Sequence, residues 1–121
     1  MIIVYASKTH NVERFCNKID KYETIRVEDY TPGMGKYVLI TYTTGFGDLP
    51  DEVHDFLIEH HQNMVGVCAS GKQSWKLFGT YCKSADVVSE MYGVPVFLKF
   101  EMQGTSQDII ELYERIERVE Q

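Results

Sequence analysis

Thr24-Ile25-Arg26-Val27-Glu28-Asp29-Tyr30-Thr31-Pro32-Gly33-Met34-Gly35-Lys36-Tyr37-Val38-Leu39-Ile40-Thr41-Tyr42 is the stretch on which the fold turns. Its last six residues form a continuous apolar run, the pattern of a strand buried on both faces of a parallel sheet. Thr24 to Val27 make a weaker run that suits an edge. The nine residues between the runs are turn chemistry, with Pro32, Gly33 and Gly35, and are too few for a crossover helix.

The same continuous pattern recurs in Ile2-Ile3-Val4-Tyr5 and Met64-Val65-Gly66-Val67-Cys68. Val96-Phe97-Leu98 opens with Pro95 and continues by alternation through Lys99 to Phe100, as an edge strand with one wetter face does. Helical spacing fills the gaps. Val12, Phe15, Cys16 and Ile19 recur at i, i+3, i+4 and i+7, and Val53, Phe56 and Leu57 follow Pro50, which fits a first helical turn. Phe78, Tyr81, Cys82, Ala85, Val88 and Tyr92 form a longer stripe. Ile109, Tyr113 and Ile116 mark a last helix, with Thr105 and Asp108 as a capping box at its start. The order β-α-β-β-α-β-α-β-α predicts an α/β sheet with helices on both faces, in one domain over residues 1–121. A five-stranded parallel sheet broken in this way most often has order 2-1-3-4-5. Its ligand site then lies at the carboxyl ends of strands 1 and 3, where the winding reverses.

Composition narrows the function classes. The 121 residues carry 44% hydrophobic and 25% charged side chains, an ordinary globular mix. The net charge of −6 is spread along the chain, which argues against a nucleic-acid footprint or a polybasic membrane patch. No apolar run approaches the ~20 residues of a membrane span. The opening Met1-Ile2-Ile3-Val4-Tyr5 lacks a basic n-region, so a cytoplasmic protein is expected. Cys16, Cys68 and Cys82 are odd in number and lack C-x-x-C spacing, so buried thiols are expected rather than disulfides or a metal site.

Three loops then fall at one end of the predicted sheet. Ser7-Lys8-Thr9-His10-Asn11-Val12 runs from strand 1 into the first helix. It reads either as a phosphate site built from hydroxyls and backbone N–H groups or as an ordinary helix cap. It is neither a Walker loop nor a dinucleotide fingerprint. Thr43-Thr44-Gly45-Phe46-Gly47 allows close approach to a flat ligand, with Phe46 either facing it or tucked into the core. Ser70-Gly71-Lys72-Gln73-Ser74-Trp75 continues to Phe78 and Gly79. It carries the only tryptophan, either a stacking surface or a cover for the helix start. Taken together, the loops suit a planar aromatic ligand with a single phosphate, namely FMN. A receiver-like module on such a frame needs acidic residues after strand 1 and an aspartate ending strand 3, and neither is present.

Residues 37–50 (YVLITYTTGFGDLP), 66–71 (GVCASG), 75–79 (WKLFG) and 94–105 (VPVFLKFEMQGT) closely resemble the signature of the NrdI-type flavodoxins. The likeness runs from Val4 to the last helix. It implies a flavodoxin-like three-layer sandwich that binds FMN and serves class Ib ribonucleotide reductase. In that family the reduced flavin reacts with O2 to give superoxide or a peroxide. The oxidant passes to the dimanganese small subunit, where it drives assembly of the manganese–tyrosyl radical cofactor. A separate reductant protein supplies the electrons. By the same resemblance Ser7, Lys8, Thr9, His10, Asn11 and Val12 hold the phosphate, and Thr43, Thr44, Gly45, Phe46 and Gly47 approach the ring. Ser70, Gly71, Trp75, Phe78 and Gly79 wall its other side. The alternatives are a general electron-transfer flavodoxin and an FMN-less interaction module.

Flavodoxins usually have glycine where this chain has His10. If the backbone there has positive φ, histidine strains it by ~1 kcal/mol. Lys8, Lys72 and Lys76 fall in the site loops against a single acid, Asp48. The fully reduced, anionic flavin is therefore expected to be reached more readily than in a typical flavodoxin. No nucleophile, metal set or general-base pair is expected. His54, His60 and His61, and the ridge Glu111, Glu114, Glu117 and Glu120, read as solvated faces.

Overall fold

A computed structural model describes residues 1–45, 47–74 and 79–120. Five strands form one parallel sheet: β1 (Ile2–Tyr5), β2 (Thr24–Arg26), β3 (Tyr37–Tyr42), β4 (Met64–Gly71) and β5 (Val96–Glu101). Their order is β2-β1-β3-β4-β5, the order expected from the missing crossover. Two single turns of 3-10 helix, Val27–Asp29 and Pro32–Met34, occupy that missing crossover.

Four helices cover the sheet: α1 (Asn11–Asn17), α2 (Asp51–His60), α3 (Lys83–Tyr92) and α4 (Ser106–Glu120). Strand alternation divides the core in two. Ile3, Val38, Ile40, Cys68 and Phe100 pack with Phe15 of α1 and with Leu112 and Ile116 of α4. Val4, Leu39, Val67 and Ala69 face the other way, onto Val53 and Leu57 of α2 and onto Ala85 and Val88 of α3. The continuous apolar runs are therefore those of the central strands, which feed both layers. All three cysteines are buried free thiols. No helix among the described residues is long and apolar enough to cross a membrane.

Local signals explain the element ends. Thr105 and Asp108 cap α4 reciprocally: the Asp108 carboxylate accepts from the Thr105 N–H at 2.8 Å, and the Thr105 hydroxyl accepts from the Asp108 N–H at 3.2 Å. Pro50 stands just before α2 rather than in its first turn, and its carbonyl accepts from the N–H groups of Val53 and His54.

Four expectations need correction. β4 runs three residues past Cys68, because Ala69, Ser70 and Gly71 keep pairing with Lys99, Phe100 and Glu101 of β5. Tyr81 and Cys82, placed in a helical stripe by their spacing, precede α3, which starts at Lys83 because Cys82 adopts φ 51° and breaks the helical path. The wetter face that alternation with Lys99 predicts for β5 does not extend to Phe97, which is buried. A register shift at Val67/Cys68 accompanies this, and a Cβ on Gly66 would lie 2.5 Å from the Phe97 ring, so the glycine makes its room. His60 and His61 are half-buried rather than solvated. His60 packs against Phe56 and Tyr30, and His61 stacks on Tyr92 with ring centroids 4.9 Å apart.

Candidate functional site

A cavity of about 280 Å³ opens at the carboxyl ends of β1, β3, β4 and β5. It lies at the reversal point of the sheet, and its volume is near the lower end of small-molecule sites, roughly 300–1,000 Å³. Four segments meet in it.

The first is the loop from β1 to α1, which contributes Lys8, Thr9 and Asn11. Here the Ser7 hydroxyl accepts from the Glu13 N–H at 3.2 Å and so caps the helix, fixing where the loop enters it. His10 holds φ 66°, the left-handed conformation that glycine serves elsewhere. Its ring turns away from the cavity, with Nδ1 2.9 Å from the Glu13 carboxylate. The other oxygen of that carboxylate accepts from Arg26 at 3.0 Å. These two hydrogen bonds, His10 first, hold the Glu13 carboxyl below its ordinary pKa.

The second segment follows β3. Tyr42, Thr43, Thr44 and Gly45 line the cavity. The turn closes on itself: the Thr44 N–H donates to the Asp48 carbonyl at 3.0 Å, and the Asp48 N–H returns to the Thr44 carbonyl at 2.7 Å. The Thr43 hydroxyl lies 2.7 Å from that of the fully buried Ser84, which anchors the turn to α3. Tyr42 donates to Glu52 at 3.0 Å, and burial together with that carboxylate pushes its hydroxyl pKa up to about 12.

The third and fourth segments come from the ends of β4 and β5. The Ser70 hydroxyl donates to the Met102 carbonyl at 2.6 Å, and the Met102 N–H donates to the Gly71 carbonyl at 3.0 Å. Gly71 is tightly packed: a Cβ there would stand 3.0 Å from the Cys82 sulfur and 3.1 Å from its backbone nitrogen. Cys82 itself is a poor nucleophile, since burial pushes its thiol up to about 11. Lys72, Thr80 and Tyr81 complete the wall.

Of the residues predicted from sequence, Lys8, Thr9, Asn11, Thr43, Thr44, Gly45, Ser70 and Gly71 line this one cavity. Ser7 lines the adjoining polar basin, with Asp48, Asp51 and Glu52. His10, Val12, Gly47 and Gly79 do not line the cavity. The Val12 side chain is in the core, and Gly47 is buried within its turn. Phe46, Trp75 and Phe78 lie outside the described residues. Sequence reasoning missed Tyr42, Thr80, Tyr81, Cys82 and Met102. Tyr42 was legible as the end residue of a central strand, but Tyr81 and Cys82 were hidden in an apparently helical stripe. Met102 required knowing that β5 also ends at the site.

The cavity's chemistry fits FMN. Gly45 and Gly71 add no side chains to its wall, Thr9, Thr43 and Thr44 bring hydroxyls, and Lys8 and Lys72 bring positive charge. No carboxylate is among its described lining residues.

Comparison with known proteins agrees with this chemistry. A family model described as NrdI Flavodoxin like matches residues 3–114. Over 120 residues the chain is 38% identical to the protein NrdI of Macrococcus caseolyticus, covering 98% of this chain and 91% of that one. Over 119 residues it is 40% identical to the protein NrdI of Bacillus licheniformis, covering 97% and 88%. In fold it is similar to the oxidised Flavodoxin 2 of Bacillus cereus, with a TM-score of 0.68 at 22% identity over 94% of this chain and 92% of that one. It is likewise similar to a Streptococcus pneumonia flavodoxin, with a TM-score of 0.67 at 22% identity over 95% and 93%. The chain belongs to the NrdI flavodoxin-like family, an FMN-binding family with a role alongside ribonucleotide reductase.

Proposed function

We propose that this chain is a cytoplasmic FMN protein that supports class Ib ribonucleotide reductase by supplying oxidant to its dimanganese small subunit. Bound FMN would supply the redox chemistry, passing electrons from a separate reductant protein to O2 as superoxide or peroxide for assembly of the tyrosyl radical cofactor. The protein's own residues bind, orient and tune. Ser7, Lys8, Thr9 and Asn11 hold the phosphate, with the backbone of His10 and Val12 shaping the loop. Thr43, Thr44 and Gly45 present hydroxyls and a close backbone to the ring, continued by Phe46, while Gly47 shapes the turn from behind. Ser70 and Gly71, with Trp75 and Phe78, bound the other side.

The observation that carries this reading is the convergence of Lys8, Thr43, Thr44, Gly45 and Gly71 on one cavity at the sheet's reversal point. Electrostatics supports the redox part. Lys8 and Lys72 in the wall counter the carboxylates of Asp48, Asp51 and Glu52 in the adjoining basin, so an anionic reduced flavin meets mixed charge rather than a purely acidic surround. A redox titration of the FMN-loaded protein is expected to show no strong depression of the second potential. A markedly depressed one defeats this part of the reading.

The direct test is reconstitution. The purified protein should take up FMN and turn yellow. After anaerobic reduction it should yield tyrosyl radical, read by electron paramagnetic resonance, when mixed with a manganese-loaded class Ib small subunit and O2. Failure to take up FMN removes the whole reading. Uptake and reduction without radical formation leave a general electron-transfer flavodoxin. Gly71→Ala forces a Cβ against Cys82 and should weaken FMN binding by tenfold or so, about 1.4 kcal/mol.

A further inference from the structure

Met102 has an unusual backbone and an unusual place. It holds φ 53°, which is rare for a residue with a side chain. Both of its backbone groups are tied to β4, the carbonyl by Ser70 and the N–H by Gly71. Those bonds keep it at the cavity wall, yet 46% of it is exposed. The result is a half-exposed methionine whose backbone is fixed at the rim of the proposed flavin cavity.

Two other methionines serve as internal references. Met34 is 41% exposed and Met91 is 52% exposed, so exposure alone predicts similar reactivity for all three. Both references lie at the opposite end of the fold. Met34 precedes β3, whose six residues span about 16 Å before reaching the cavity. Met91 is near the end of α3, about 12 Å along the helix from its cavity end.

We propose that Met102 is a site of self-inflicted methionine oxidation, the first side chain met by peroxide made in the cavity. This rests on the oxidant-supplying function proposed above. The step balances within the site. The thioether sulfur attacks one oxygen of hydrogen peroxide, the O–O bond breaks, and an S–O bond forms. The sulfide is oxidised by two electrons, and the second oxygen leaves as water after proton transfer. The sulfoxide replaces an apolar rim with a polar one, so oxidation loosens the FMN site, and a methionine sulfoxide reductase would restore it.

The test uses the FMN-loaded protein, reduced anaerobically and exposed to O2 over repeated cycles. Catalase in the bulk destroys escaping peroxide, and peptide mass spectrometry reads the added oxygen at each methionine. Sulfoxide at Met102 should exceed that at Met34 and Met91 by about fivefold or more. FMN-free protein treated with bulk hydrogen peroxide should show near-equal oxidation of the three. Equal oxidation during cycling overturns the proposal, as does the same Met102 preference in the FMN-free protein. A parallel run without catalase measures peroxide in solution. If none forms, the oxidant-supplying function fails and the proposal with it, whereas peroxide without Met102 enrichment defeats the proposal alone. Met102→Gln, which imitates the polar rim, should raise the FMN dissociation constant about threefold relative to the apolar replacement Met102→Leu. Unchanged binding in Met102→Gln removes the proposed consequence.

Discussion

Two loops beside the cavity solve one backbone problem in different ways. After β3 the chain has positive φ at Gly45 (52°) and Gly47 (104°), and glycine occupies both. After β1 it has φ 66° at position 10, and histidine sits there. The packing around each position accounts for the difference. A Cβ on Gly47 would stand 2.9 Å from the Lys83 Cβ and 3.3 Å from that of Thr80, so no side chain fits. His10 points outward, its side chain 69% exposed, and its ring is held by Glu13. Burial forces glycine at position 47, while exposure lets position 10 carry a strained residue. The other two described non-glycine residues with positive φ, Cys82 and Met102, both line the cavity. Local backbone strain therefore gathers around the site, as it does at many functional sites.

The largest effect is expected where the comparison is steepest. Gly47→Ala combines an unfavourable backbone with a clash against Lys83, and should destabilise by about 3 kcal/mol in urea unfolding. Gly45→Ala should cost less, about 1 kcal/mol, because its Cβ meets only the Asp48 carboxylate, 3.0 Å away and at the end of a side chain that can swing. Equal losses at the two positions would break the argument that packing, and not φ alone, selects glycine there.

His10→Gly sharpens the comparison from the other side. It relieves the left-handed strain and should raise stability by about 1 kcal/mol, partly offset by the lost contact to Glu13. His10→Ala is the control: it loses the contact and keeps the strain, so it should be slightly destabilising. If both variants destabilise alike, the strain is not real.

The same packing logic marks what the sequence could disclose. β1 and β3 were readable to the residue, because a strand buried on both faces must be apolar throughout. The strand order followed from nine residues too short and too rich in proline and glycine to cross the sheet. Ser70 and Gly71 were unreadable as strand, because their composition is that of a turn. Only pairing with β5, and the Ser70 hydroxyl bond to Met102, makes them sheet. Cys82 was unreadable because its apolar spacing continues the helical stripe while its backbone does not. At the site, residues that line the cavity through loop chemistry were legible. Tyr81 and Met102 were not, since their roles depend on where neighbouring elements stop.

The smallest effect follows from the network that steadies His10. Glu13 is held below its ordinary value of 4.5 by hydrogen bonds from His10 and, second, from Arg26. A carboxyl with a lowered folded pKa contributes stability that is present in full above its ordinary value. That contribution is lost as pH falls through the lower folded one. The unfolding midpoint should therefore drop on acidification below about 4.5, and the part due to Glu13 should vanish in Glu13→Gln. His10→Gly removes the first-ranked partner, so it should flatten the same acid limb while raising the plateau near neutrality. These opposite changes in one variant separate backbone strain from side-chain contact. A single side-chain effect would lower both, and a purely conformational one would leave the acid limb untouched.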